Sequence, residues 1–176
     1  MALMISMYRT ELNALTKRPT IFFMGGAVGE GNTGARAEFN VQCDPEAAHV
    51  VLESGLPLYM IPLEVTHTAL ATPEVIATLR EKALLHPAGE EHAKRIEALL
   101  TFFAETYKRV FRFDHPPLHD PVVVFYVMFP GMFKTKRMRV DIDCGQLCAG
   151  TTVCDHYGMS GKEPNVTVCT KVDVDT

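Results

Sequence analysis

The stretch Thr20–Asn40, TIFFMGGAVGEGNTGARAEFN, decides the fold. Its first part, Thr20 to Met24, is an apolar, strand-like run. It ends in a loop with five glycines, which then delivers Asn32, Glu38 and Asn40 within nine residues. Glycines let the backbone turn sharply and approach a ligand closely. Amide and carboxylate side chains beside them offer several donors and acceptors, which suits a poly-hydroxyl ligand. Open α/β sheets bind small molecules in such loops, at the C-terminal ends of strands.

Outward from that stretch, helices and strands alternate. Met1 to Leu15 carries a helical apolar stripe, stopped by Pro19. Asp44-Pro45-Glu46 reads as N-cap, N1 and acidic first turn of a helix that ends at Ser54-Gly55. A second strand is expected over Leu58 to Val65. Thr72-Pro73-Glu74 opens a helix to about Leu85. A long helix should run from about Glu90 to Phe111, burying Ile96, Leu99, Leu100, Phe103, Tyr107 and Val110. Leu118-His119-Asp120-Pro121 starts another helix, with Asp120 as N-cap. Its run Val122 to Phe129 is apolar all round and predicts a central, buried helix. The last third turns β-like at Arg137 to Asp143, Thr151 to Asp155 and Val166 to Val172. The order predicts an α/β fold: a partial, open, mainly parallel sheet with flanking helices and a small antiparallel C-terminal part. Two parallel strands are too few to cover four helices, so residues 1–176 read as a single domain, the latter part of a larger one.

Composition narrows the function classes. Apolar residues make 47% of the 176 and charged residues 22%, an ordinary globular balance that allows one sizeable core. A net charge of −4 gives no basic footprint, so nucleic acid is not an expected partner. The longest apolar run is too short to cross a bilayer. The five cysteines lack zinc-ribbon spacing and read as thiols of a reducing cytoplasm.

Individual motifs divide. Gly29-Glu30-Gly31-Asn32-Thr33-Gly34 spells GxGxxG, but the dinucleotide fingerprint needs those glycines directly after a strand and opening a helix. Here they start five residues past Met24, and Asp44-Pro45 leaves little room for that helix. Asn32, Glu38 and Asn40 are the sharper signal, with a plain polar loop as the alternative. In an extended segment, alternation would put Glu38 and Asn40 on one side and Phe39 on the other. His119 suits acid–base work near neutrality, and Asp120 is a hard oxygen donor for Ca²⁺ or Mg²⁺ as well as a helix cap. Tyr107 and Phe103 lie one turn apart. Core packing explains both, although a helix end near a site can also present an aromatic ring to a flat base.

Five blocks in order, MGGAVGEGN (24–32), AEFN (37–40), DPEAA (44–48), SGLPLYMIPLEVTH (54–67) and HPPLHDP (115–121), resemble the inosine–uridine-preferring nucleoside hydrolases, most closely the broad-specificity kinetoplastid-type branch. That resemblance implies hydrolysis of ribonucleosides to base and ribose around a bound Ca²⁺, in a homo-oligomer. It implies that Asn32, Glu38 and Asn40 hold the ribose, with Met24 and Phe39 lining its pocket. It further implies that Asp120 ligates Ca²⁺, that His119 is the acid for the leaving base and that Tyr107 lies near that base. Phe103 stands where relatives can carry a tyrosine. The family's aspartate-rich DxDxGxDD-type motif occurs nowhere in the sequence. The expectation is a chain that carries the ribose and leaving-group half of the site without the metal and water-activating half.

Overall fold

A computed structural model describes residues 1–174. The elements are α1 (Ala2–Ala14), β1 (Ile21–Met24), α2 (Phe39–Cys43), α3 (Pro45–Leu52), β2 (Leu58–Ile61), α4 (Leu63–Thr66), α5 (Pro73–Ala83), α6 (Gly89–Phe111), α7 (His119–Met128), β3 (Phe133–Asp143), β4 (Thr151–Asp155) and β5 (Val166–Val172). They form two compact units, residues 1–66 with 119–176 and residues 67–118.

The first unit is an α/β layer built on one five-stranded mixed sheet, in the order β1-β2-β5-β3-β4. β1 pairs parallel to β2, Ile21 opposite Leu58 and Met24 opposite Ile61, and β2 pairs parallel to β5. The crossover that parallel pairing demands is supplied by α2 and α3. β3 lies antiparallel to both β5 and β4. The β-rich tail therefore extends the same sheet. Leu58, Met60, Val140, Val166 and Val168 are buried at its centre, with Ile5 of α1 and Leu52 of α3 packed against them. β1 forms one edge of the sheet, and Phe22 stacks on Tyr59 at 4.8 Å while both lie against Tyr126 of α7.

Local chemistry explains where the elements begin. Asp44 caps α3 by accepting the Ala47 N–H at 2.9 Å, with Pro45 at the first helical position. Thr72 caps α5 from the equivalent place. Gly55 takes φ +79° just past α3, the left-handed conformation that ends helices cheaply only at glycine. The expected strand to Val65 stops at Ile61. Pro62 follows, which has no N–H to give a ladder, and the chain turns into α4.

Two helices depart from expectation. In α6, which belongs to the second unit, only Ala93 is buried, and Ile96, Leu99, Phe103 and Val110 of the expected buried face are exposed. In α7, expected to be buried all round, Val122 and Tyr126 are buried while Val124, Val127 and Met128 are more than half exposed. The apolar stripes exist as read. Among the described residues, too little packs against them to cover them. α6 holds its own shape with the i,i+4 pairs Glu90–Lys94 and Glu91–Arg95, and the Arg80–Glu97 pair ties it to α5.

Candidate functional site

The site begins where β1 ends. Gly26 adopts φ +74°, and a Cβ there would sit 2.7 Å from Thr152 Cγ2, so the turn after Met24 requires glycine. Four successive backbone N–H groups of this turn then find side-chain acceptors from three other elements. Gly26 N–H donates to Glu38 Oε2 at 2.8 Å and Ala27 N–H to Thr152 Oγ1 at 2.9 Å. Val28 and Gly29 N–H both donate to the Glu64 carboxylate, at 2.9 Å and 2.6 Å to Oε1. A loop with its donors satisfied in this way is held in one conformation rather than left to water.

Glu38 is the hinge of that arrangement. It is the N-cap of α2, with Oε1 accepting from Asn40 N–H at 3.0 Å and Oε2 from Val41 N–H at 3.3 Å as well as from Gly26. The residue is 2% exposed. Residues 39–43 are thus helical, which overturns the expectation of an extended segment with Glu38 and Asn40 alternating against Phe39. Helix geometry spreads these neighbours around an axis instead. Phe39 points to the surface at 56% exposure. Asn40 turns back to β1, its amide nitrogen 3.1 Å from Met24 Sδ and 3.4 Å from the Met24 carbonyl. Asn32 accepts the Phe39 N–H through Oδ1 at 2.8 Å. Met24, Asn32, Glu38, Phe39 and Asn40 are therefore brought together by one hydrogen-bonded turn. Met24 and Asn40 also border an apolar cavity of about 230 Å³ whose wall includes Val51 and Leu52 of α3.

His119 opens α7 in the same unit and is half-buried. Its Nδ1 lies 2.8 Å from the hydroxyl oxygen of Thr66, the last residue of α4. Asp120 is exposed and sits inside the first turn of α7 rather than capping it, where a carboxylate suits the positive end of the helix. Tyr107 belongs to the second unit and packs with Phe111 and Phe113, at ring separations of 5.3 Å and 6.2 Å.

Sequence reasoning missed Glu64, Thr66 and Thr152. They act across 35, 53 and 125 residues on Gly29, His119 and Ala27 respectively. The one available signal was Pro62, which marks the end of β2 and the start of the turn that presents Glu64 and Thr66.

Other chemistries find little support. No helix opens on the GxGxxG lettering, since the chain stays irregular from Gly25 to Glu38. Burial pushes the Cys154 and Cys169 thiols up to about 11 and about 12, so neither is a ready nucleophile. Among the described residues no group of three or more His, Cys, Asp or Glu is placed to hold a metal ion. A Ca²⁺ site needs six to eight oxygens, so Asp120 and its surroundings do not fit that ion. No helix among the described residues is long and apolar enough to cross a membrane.

The family model described as inosine-uridine preferring nucleoside hydrolase matches residues 1–176. A probable ribonucleoside hydrolase of Dictyostelium discoideum is 44% identical over 156 residues, covering 88% of this chain and 46% of that protein. The pyrimidine-specific ribonucleoside hydrolase RihB of Shigella sonnei is 38% identical over 168 residues, covering 95% and 52% respectively. Among solved structures, the purine-preferring ribonucleoside hydrolase from Gardnerella vaginalis superposes with a TM-score of 0.78 at 26% identity, covering 97% of this chain and 53% of that one. The chain thus spans about half the length of these relatives. With the family match running from its first residue to its last, the chain belongs to the inosine-uridine preferring nucleoside hydrolase family.

Proposed function

We propose that this chain supplies the ribose-holding and leaving-group part of an N-ribohydrolase acting on purine and pyrimidine ribonucleosides. The observation that carries the reading is the convergence of Asn32, Glu38 and Asn40 on the glycine turn that follows β1. The side-chain amides of Asn32 and Asn40 are the ribose donors and acceptors. Glu38 meets three backbone N–H groups and so fixes the turn on which both amides are carried. Met24 and Phe39 give the ring apolar contact.

The chemistry follows from charge. As the C–N bond lengthens, its electron pair leaves with the base and positive charge builds on the sugar. The Glu38 carboxylate stabilises that sugar charge, and His119 gives a proton to a base nitrogen. The oxygen of water bonds to the anomeric carbon and loses a proton. That last task is assigned to no residue here, because the metal that would assist it does not fit the donors present. The remaining family expectations, a homo-oligomer in the cytoplasm and the broad-specificity branch, belong to the same proposal and rest on the resemblance.

The test is NMR titration of the 176-residue chain with ribose and with inosine. Side-chain amide signals of Asn32 and Asn40 and the Met24 methyl signal should shift on adding either ligand. Unmoved signals at millimolar ribose and inosine contradict the reading. A second reading is a binding or structural relative without chemistry. The intact mass of the native protein separates the two: a longer chain favours the enzyme, and 19.5 kDa favours the binding protein.

A further inference from the structure

β4 stands at the opposite end of the strand order from β1, yet its Thr152 reaches the turn that follows β1. Thr152 is buried, and its hydroxyl bonds to Ala27 twice over. It accepts the Ala27 N–H at 2.9 Å and donates to the Ala27 carbonyl oxygen at 2.5 Å. A hydroxyl has one proton to give and lone pairs to receive, so the two bonds do not compete. A paired strand takes both the N–H and the C=O of the residue opposite. Thr152 does the same with a side chain. Its methyl meets the preceding residue, since a Cβ on Gly26 would sit 2.7 Å from Thr152 Cγ2. The χ1 torsion of a β-branched residue is stiff, so methyl and hydroxyl are set together against Gly26 and Ala27. The same hairpin also meets α2. Gly150, at φ +88°, lies so close that a Cβ there would stand 2.6 Å from Gln42 Cα. Residues 150–152 thus touch both the turn that follows Met24 and the helix that carries Asn40.

We propose that Thr152 is a positioning residue for ligand binding: its hydroxyl holds Ala27 in the orientation that keeps Met24, Asn32 and Asn40 convergent. The functional meaning rests on the reading of these residues as the ribose holders. Thr152 acts through Ala27 rather than on the sugar. Without the hydroxyl, the buried N–H and C=O of Ala27 both lose their partner. Unmatched buried groups are costly, which drives the peptide to turn toward water. The turn then relaxes between Gly25 and Val28, and Met24 and Asn32 at its two ends are no longer held in register. Thr152 also lines the cavity that Met24 and Asn40 border, so the relaxation is felt where the ligand sits. A site pre-organised by such a distant residue spends less of its binding energy on ordering itself.

The test is NMR of the 176-residue chain and of its Thr152→Val and Thr152→Ser variants, first free and then titrated with ribose. Thr152→Val removes the hydroxyl at nearly constant volume, and Thr152→Ser keeps it. In Thr152→Val the sheet amides should match the parent. The Ala27 amide and the Asn32 and Asn40 side-chain signals should move before any ligand is added, and ribose affinity should fall by about tenfold. Thr152→Ser should restore both signals and affinity. Parental ribose affinity in Thr152→Val, or unmoved ligand-free signals, overturns the proposal. So does a Thr152→Ser chain as weak as Thr152→Val. If Thr152→Val does not fold, the parent and Thr152→Ser decide. Both should show a slowly exchanging hydroxyl proton with a cross-peak to the Ala27 amide, and a hydroxyl that exchanges freely with water contradicts the proposal. Failure of the ribose reading shows separately, as a parent chain that ignores millimolar ribose. The ligand-free Ala27, Asn32 and Asn40 signals then still decide what Thr152 holds.

Discussion

The turn after β1 and the outer faces of α6 and α7 are treated in opposite ways by this chain. In the turn, four consecutive N–H groups are matched to Glu38, Thr152 and Glu64, with Gly26, Ala27 and Glu38 all buried. On the helices, Leu99 in the apolar stripe of α6 is 58% exposed and Val124 of the all-round apolar α7 is 61% exposed. The difference teaches where the specification lies. Polar satisfaction of the proposed ribose loop is completed by residues 26 to 152 of this chain itself. Apolar burial of the helices is not completed among the described residues. Free energy should therefore be concentrated in the loop, and substitutions there should cost more than equally drastic ones on the stripes.

The largest effect is expected at Glu38. Glu38→Ala removes an acceptor from three backbone donors, two of them in buried surroundings, and should cost about 3 kcal/mol of stability in urea denaturation. Glu38→Gln keeps one accepting oxygen and should fall between. A Glu38→Ala cost as small as that of a surface change would break the contrast. Gly26→Ala comes next, at about 2 kcal/mol, because it combines a positive φ with a Cβ pressed against Thr152. Glu64→Gln should cost only about 1 kcal/mol, since Glu64 is exposed. Its sharper signature is faster amide hydrogen exchange at Val28 and Gly29 with the rest of the sheet unchanged. Leu99→Gln and Val124→Thr should stay within about 0.5 kcal/mol of the parent. A loss above about 2 kcal/mol at either would mean that the stripe is covered in solution.

What the sequence made legible follows the range of the interactions. Asp44-Pro45 and Thr72-Pro73 announce their helices because cap and proline act within four residues. β3, β4 and β5 announce themselves by local β-propensity and turn residues. Phe39–Cys43 was not legible as a helix, since five residues make barely more than one turn and show no periodicity. The stripe of α6 and the all-round apolar run of α7 were legible, but an apolar pattern is silent on what covers it. In the site, Asn32, Glu38, Asn40 and His119 stood out by residue type and block order. Glu64, Thr66 and Thr152 did not. Their partners are set by the fold, and a threonine at the end of a short helical turn looks like any other until His119 is seen beside it.

The central claim is that the proposed ribose and leaving-group side chains occur, among the described residues, without a group able to hold Ca²⁺ and activate water. The most direct measurement is release of hypoxanthine from inosine and uracil from uridine by the purified 176-residue chain, across a calcium titration with a chelator control. The account predicts no base release at any calcium concentration and no tight calcium binding in the accompanying calorimetry. Calcium-dependent release of hypoxanthine, abolished by chelator and by His119→Ala, would contradict it.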